Sequence, residues 1–275
     1  MSEPYTAGQT LKLMAVLAHP DDESLGIGGT LAKYAAEGVA TYLITATRGE
    51  RGWRGEAAAD PGLEAFGKVR EAELLAAAKI LGVREVQFLN YIDGDLDQAN
   101  APGAIGQIAA HLRRVRPQVV LTFGPEGAYG HPDHMAISQF TLAALVAAAD
   151  PAWQPGGSHP PHRVAKLYFM ADTHAGMALY KTMFGDLVMP VDGVDRSFPG
   201  WPQWIMSAEL DTDAHWRTVL QAIQCHTSQI GGMASLVTAC ESDHAALLGR
   251  QYFIRALSLV NAGRKVERDL FEGIE

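Results

Sequence analysis

Two short clusters of histidine and aspartate carry the chemical potential of this chain: His19, Asp21 and Asp22, and later His131, Asp133 and His134. Two imidazole nitrogens and one carboxylate oxygen drawn from such clusters would hold a divalent metal. A fourth position would stay open for water, which is the pattern of catalytic zinc. Iron(II) accepts the same donors. Thiolate ligation is not on offer, because neither Cys225 nor Cys240 lies near the clusters in sequence. Singly, each residue has a plainer reading. A lone histidine at a strand end is a hydrogen-bonded loop residue, and Asp21, Asp22 or Asp133 would cap the helix that follows. Six such residues in two compact groups, each after an apolar run, are better explained by one shared site.

The first cluster ends the run Leu13-Met14-Ala15-Val16-Leu17, which suits a strand covered on both faces. After Gly26-Ile27-Gly28-Gly29, helical patterning resumes at Thr30 and stops at Gly38. Further strands are expected over 39–46, 86–89, 119–123 and 164–170, and helices over 63–81, 105–115 and 135–149. This alternation implies right-handed βαβ crossovers and a parallel sheet. The polar loops follow strands, so they gather at the carboxyl edge, where open α/β sheets bind ligands. The second cluster follows the fourth strand, which in a doubly wound sheet neighbours the first where the strand order reverses. The expected fold is α/β, a Rossmann-like three-layer arrangement with a mostly parallel sheet and a decorated C-terminal third. It forms a single domain over 1–275 with its core at about 11–170. Residues 171–202, including Trp201 and Trp204, show no clear pattern and are the candidate substrate-facing cap. Residues 215–228 and 244–260 read as helices.

Ala18-His19-Pro20-Asp21-Asp22-Glu23, paired with Gly130-His131-Pro132-Asp133-His134, resembles the double signature of the zinc-dependent N-acetylglucosaminyl deacetylase superfamily. These are the LmbE-like or PIG-L-type de-N-acetylases, including those of glycosylphosphatidylinositol, mycothiol and bacillithiol biosynthesis. The resemblance covers 11–149 and returns at Cys225-His226-Thr227-Ser228-Gln229, while 150–202 matches nothing. It implies removal of acetyl from an N-acetylglucosamine-type substrate, releasing acetate and a free amine. It implies Zn2+ held by His19, Asp22 and His134, with Fe2+ as the other candidate, and Asp21 as general base. His131 would stabilise the oxyanion or protonate the amine with Asp133 as its partner, and Tyr129 would assist the tetrahedral intermediate. Arg70 and Asp93 would contact sugar hydroxyls, and a homo-oligomer would be in keeping with the family. Seven residues before His226 the family often has lysine; here stands Val219, so any anchoring role is absent or falls to Arg217.

That chemistry is coherent without the family. Amide hydrolysis at neutral pH needs an acidified water, and a metal lowers the pKa of bound water towards ~7. It needs a base beside that water, and Asp21 adjoins a ligand. It needs donors for the oxyanion, which Tyr129 or a protonated His131 can supply. Arg48 and Glu50 follow the second strand and could reach the site or form a loop salt bridge. His226 could line the pocket. Without the resemblance, Arg70 among Glu71 and Glu73 would sit on a solvated helix face. His159 and His162 invite a second metal site, though a loop is the plainer reading. The glycine run lacks the full dinucleotide fingerprint.

Composition narrows the remaining classes. The 275 residues are 48% hydrophobic and 19% charged, with a net charge of -9 that argues against nucleic-acid binding. No apolar run approaches the ~20 residues of a membrane span. Residues 1–10 lack the pattern of a signal peptide. With two cysteines and no disulfide framework, the cytoplasm is the expected compartment. The expected partner is a small N-acetylated sugar. The competing readings are a metal-dependent amidase for a non-sugar acyl-amine, and a non-catalytic sugar- or metal-binding domain.

Overall fold

The computed structural model describes residues 10–153, 159–186, 188–191, 193–198 and 200–274. The stretch read for a leader peptide lies outside these, Thr10 apart, as does the middle of the 150–162 loop. In chain order the elements are β1 (Lys12–Leu17), α1 (Asp22–Ala36), β2 (Ala40–Thr45), α2 (Leu63–Ile80), β3 (Glu85–Phe88), α3 (Ala101–Val115), β4 (Val119–Thr122), the distorted turn α4 (Gly127–Gly130), α5 (Pro132–Ala149), β5 (Lys166–Ala171), α6 (His174–Phe184), β6 (Val188–Val191), β7 (Val194–Ser197), β8 (Ala208–Asp211), α7 (Trp216–Cys225), α8 (Ala234–Thr238), α9 (Glu241–Leu248) and β9 (Arg250–Ser258).

One sheet runs in the order β3-β2-β1-β4-β5-β9-β8, and β6 pairs with β7 apart from it. β1 is buried along nearly its whole length and pairs in parallel with β2 on one side and β4 on the other. Its apolar run has no solvent face because it is a central strand. The order reverses between β1 and β4, so the two His/Asp clusters emerge side by side, as the doubly wound reading requires. Within this sheet, β9 runs antiparallel to both β5 and β8, and the other pairings are parallel among the described residues. α3 packs on α5, and α7 packs on α1 and α2. No helix among the described residues is long and apolar enough to cross a membrane.

The structure corrects three expectations. The first helix starts at Asp22 and runs through the glycines, with a non-helical Ile27 inside it. Those glycines serve close packing: a Cβ on Gly28 would meet Val219 of α7 at 3.1 Å, and one on Gly29 would meet Thr212 at 2.7 Å. The helix expected over 244–260 breaks at Gly249, and Arg250–Ser258 becomes β9. Its Tyr252-Phe253-Ile254 core favours a strand, and pairing on both edges decides the matter. The helix expected over 215–228 ends at Cys225. Within 171–202 lie α6, β6 and β7.

Two polar groups, Glu267 and His162, tie the periphery to the core. Glu267, 1% exposed, accepts from buried Lys166 Nζ at 2.6 Å and from the Tyr168 hydroxyl, with Arg255 at 3.2 Å. His162 is buried and its Nε2 donates to the Pro117 carbonyl at 2.7 Å, a packing role rather than a second metal site. His159 is exposed.

Candidate active site

At the end of β1 the chain turns sharply through Pro20, and Asp21 sits in the left-handed region at φ 107°. The turn sends His19 and Asp22 towards His134, which enters from the first turn of α5. His19 Nδ1 lies 3.2 Å from His134 Nε2. The Asp22 carboxylate is 3.8 Å from the first nitrogen and 3.6 Å from the second. The far nitrogens are occupied: His19 Nε2 faces Asp133 at 3.0 Å and Asp93 at 3.1 Å, and His134 Nδ1 faces the Gly127 carbonyl at 3.3 Å. With protons on those far nitrogens, both near lone pairs point at one place. Three donors around a tetrahedral ion with bonds of 2.0–2.1 Å stand about 3.4 Å apart. The donor set therefore fits a small divalent cation. Two overlapping groups also converge within 4.8 Å: His19, His131 and His134, and His19, Asp93 and Asp133. The second group places its carboxylates behind the His19 ring.

The electrostatics are those of crowded, buried ligands. Burial pushes the Asp22 carboxyl up to about 7, against the opposing pull of His19. Burial, reinforced by the charges of His19 and His131, drives His134 well below the ordinary histidine value. Burial also works to lower His19, but Asp133, Asp93 and Asp22 outweigh it and raise the group well above its usual value. Asp93 resists burial through its bond to His19 and falls to about 2. A cation among the near donors would keep Asp22 ionised and His134 neutral.

Asp21 is held from two sides. Its carboxylate accepts from Arg70 at 3.0 Å, and its amide donates to Glu23 Oε2 at 3.0 Å. Glu23 is fully buried, and its other oxygen accepts from His226 Nε2 at 2.8 Å and Ser24 Oγ at 2.5 Å. Burial raises the Asp21 carboxyl, while Arg70 and His226 pull it down.

The residues expected to touch substrate sit close behind the donor cluster. Arg70, Asp93, Glu50 and His226 are all buried, and none lines the cavity. Arg70 spends its guanidinium on Asp21, the Pro20 carbonyl and the Gly49 carbonyl. Asp93 accepts from the Arg51 amide at 3.1 Å and supports His19. Glu50 accepts from the Asp93 amide at 3.1 Å. His226 serves Glu23. The Asp133 carboxylate accepts from the Gly94 amide at 2.7 Å and the Leu96 amide at 3.0 Å and meets His19; towards His131 it offers its backbone amide, at 3.2 Å from Nδ1. His131, not Asp133, caps α5. Arg48 pairs with Glu71 in a loop salt bridge. Val219 packs on α1, and Arg217 points to Glu241 at 2.8 Å, so it does not replace a lysine at position 219. Trp204 is 83% exposed, and Trp201 bonds Glu126; neither lines the cavity.

The cavity itself holds about 550 Å³. Asp21, Asp22, Tyr129 and His134 form its floor, and Tyr129 stacks edge-on at 5.4 Å from His134 and 6.0 Å from His131. The wall comes from β5, α6, β6, α9 and β9, so the segment 171–202 does face the site. Sequence reasoning missed Arg54, Gln229 and Asp172 on this wall, and Glu23 beneath it. Glu23 carried a signal as the last residue of the first motif, and Gln229 as the last residue of the stretch 225–229 where the resemblance returns; Arg54 and Asp172 carried none.

A doubly wound sheet with a His/Asp donor cluster at its switch point defines an α/β protein whose clustered residues could hold a metal ion. A sequence profile described as PIG-L: GlcNAc-PI de-N-acetylase matches residues 14–145. The 1D-myo-inositol 2-acetamido-2-deoxy-alpha-D-glucopyranoside deacetylase of Streptomyces griseus is 34% identical over 294 residues, covering 96% of this chain and 89% of that protein. The chain belongs to the PIG-L de-N-acetylase family. Among solved structures, N,N'-diacetylchitobiose deacetylase from Pyrococcus horikoshii shares the fold with a TM-score of 0.65 at 19% identity, over 89% of this chain and 82% of that one. The 4-carboxy-2-hydroxymuconate hydratase of Pseudomonas putida KT2440 shares it with a TM-score of 0.62 at 20% identity, over 92% and 99%. The scaffold thus hosts more than one chemistry, and the site residues must carry the argument.

Proposed function

We propose that this protein is a metal-dependent N-deacetylase of one domain that removes the acetyl group from an N-acetylglucosamine-type substrate, giving acetate and a free amine. The observation that carries this reading is the convergence of His19 Nδ1, His134 Nε2 and the Asp22 carboxylate beside Asp21, at the floor of one cavity. The name of the Streptomyces relative supports the same substrate class. His19, Asp22 and His134 would hold Zn2+, with Fe2+ as the other fit to these donors. The ion, when bound, supplies Lewis acidity and an acidified water.

The chain's own groups do the rest. Asp21 takes the proton from the attacking water, and Arg70 fixes which oxygen is free to do so. Tyr129 donates towards the oxygen that becomes an oxyanion. Its hydroxyl is raised above the ordinary tyrosine value, by burial first and then by Asp22 and Asp21, so it stays protonated. His131, oriented at the start of α5, or Asp21 once protonated, returns a proton to the leaving amine. Two free cysteines suit the reducing cytoplasm.

Elemental analysis combined with acetate release from N-acetylglucosamine derivatives tests the proposal. About one zinc or iron per chain and release abolished by a chelator are expected. Asp21→Asn should lower kcat by roughly 10²–10⁴-fold with the metal retained. Full turnover in that variant removes Asp21 as base. Acetate from a non-sugar N-acetylamine but from no sugar would assign a different amide. Metal without any turnover would favour the binding-domain reading.

A further inference from the structure

We propose that Arg54 is a specificity-determining residue of this site, whose guanidinium grips the two neighbouring ring hydroxyls of the sugar while the acetamido group lies on the donor floor. This rests on the N-deacetylase reading and adds a substrate contact to it. Arg54 follows β2 in the chain and lines the cavity. Two residues earlier, Gly52 sits against Arg70: a Cβ there would lie 2.7 Å from Arg70 Nη1. Arg70 in turn holds Asp21 at 3.0 Å, so the loop passes beside the floor. Burial, Asp22 and Asp21 raise the Tyr129 hydroxyl, and the charge of Arg54 works against them, in keeping with the same closeness. A sugar whose acetamido carbon meets Asp21 brings its ring alongside Arg54.

The guanidinium is held from behind. Its Nε donates to Gln229 Oε1 at 3.1 Å. Gln229 is buried, and its own amide donates to the Gly52 carbonyl and to Ser228 Oγ, both at 3.1 Å. Ser228 Oγ donates to the buried Glu73 at 2.7 Å. Next to Arg54 in the chain, Trp53 packs edge-on against Phe66 at 5.3 Å. With Nε engaged the plane of the fork is set, and the two Nη groups have no partner among the described residues. Arg250, a second cation on the wall, is committed to Glu209 at 2.7 Å. Neutral oxygens suit the Arg54 fork better than an anion, because Asp21 and Asp22 line the same cavity and repel negative charge. On an N-acetylglucosaminide the vicinal pair of free hydroxyls is that at carbons 3 and 4. A planar charged donor reads two such oxygens with a geometry that lysine does not reproduce.

The test uses methyl N-acetylglucosaminide and its 3-, 4- and 6-deoxy analogues, with kcat and KM measured by acetate release. Arg54 is exposed, so its replacement leaves the core as it is. Arg54→Met should raise KM for the full sugar by roughly 10- to 100-fold, the range for hydrogen bonds to a charged group. Its kcat should stay near the parent value. Arg54→Lys should raise KM nearly as much, and Gln229→Ala, which frees the fork, should raise it by a smaller factor. The parent should discriminate against the 3- and 4-deoxy sugars but not the 6-deoxy sugar, and Arg54→Met should treat all four alike. An unchanged KM in Arg54→Met, a parent-like Arg54→Lys, or the same deoxy preference in parent and variant overturns the proposal. A fall in kcat at constant KM overturns it too, since Arg54 would then act on the charge of the floor. If no glycoside releases acetate, the deacetylase reading fails, and calorimetry with methyl N-acetylglucosaminide decides on Arg54 separately. Binding weakened by about 10-fold or more in Arg54→Met upholds the contact. Equal binding in parent and variant, or no binding to the parent, sinks it.

Discussion

Asp21 is a general-base candidate in a backbone conformation that only glycine adopts freely, at φ 107°. Its neighbours over-determine that conformation. Glu23 accepts its amide, and His226, brought from the far end of α7, fixes Glu23 in turn. Glu23→Gln should therefore lower kcat by about 10-fold or more through misplacement of Asp21. KM and metal content should stay near the parent values. Loss of metal in step with activity would show that Glu23 supports the ligands instead. The two motifs single out His19, Asp21, Asp22 and His134 by residue type and spacing alone. They do not show which way their neighbours face. Arg70 lies beside Glu71 and looks solvated, yet it is turned inward with Glu73, which accepts from Thr227 and Ser228. Inward orientation comes from tertiary packing, so Arg70, Asp93, Glu50 and His226 were legible as belonging to the site but not as its supports.

The strands and helices of the first half were legible because their apolar runs are long and their stops are glycines. β9 was not, since its apolar residues fit either period and only pairing with β5 and β8 selects the strand. The link between α5 and β5 carries a pH dependence. His162 bonds the Pro117 carbonyl, and burial, its largest influence, pushes its pKa down to about 4. The unfolded chain takes up the proton near the ordinary 6.5, before the folded one does. The contribution to stability is therefore complete above pH 6.5 and is lost as the pH falls towards 4. Between pH 7.5 and 5, unfolding free energy should drop by about 2 kcal/mol more in the parent than in His162→Gln. Denaturant titrations at the two pH values give the difference directly. Parallel pH profiles would show that His162 titrates alike in both states.

Across the whole molecule, the last described stretch is tied to the middle of the sheet by a buried charge. Lys166 and Glu267 are almost wholly out of water, with Tyr168 and Arg255 on the same carboxylate. Glu267→Ala leaves the Lys166 ammonium buried without its counter-charge and should cost about 3–5 kcal/mol of stability. Chemical denaturation reads this. The double change Glu267→Leu with Lys166→Met should recover a large part of it, because apolar replacements remove both desolvation costs. None of this was visible in the sequence, where the two residues stand far apart and the C-terminal stretch has no pattern.

The way the wall is hung on the sheet has an evolutionary consequence. β5 ends at Ala171 opposite Tyr252, and β8 begins at Ala208 opposite the adjoining Phe253. The segment 172–207 thus leaves and re-enters the sheet about two strand spacings apart, ~10 Å. Its neck is already clasped, with the Trp201 amide on the Asp172 carbonyl at 2.7 Å and the His174 amide on the Trp201 carbonyl at 2.9 Å. A loop closed at its base in this way is a cassette. Its ties to the loop before His131 are the Arg196 guanidinium on the Gly130 carbonyl at 3.4 Å and the Trp201 indole on Glu126 at 3.3 Å, so an exchanged insert that keeps these two would reshape the cavity wall and leave the strands that carry His19 and Asp22 as they are.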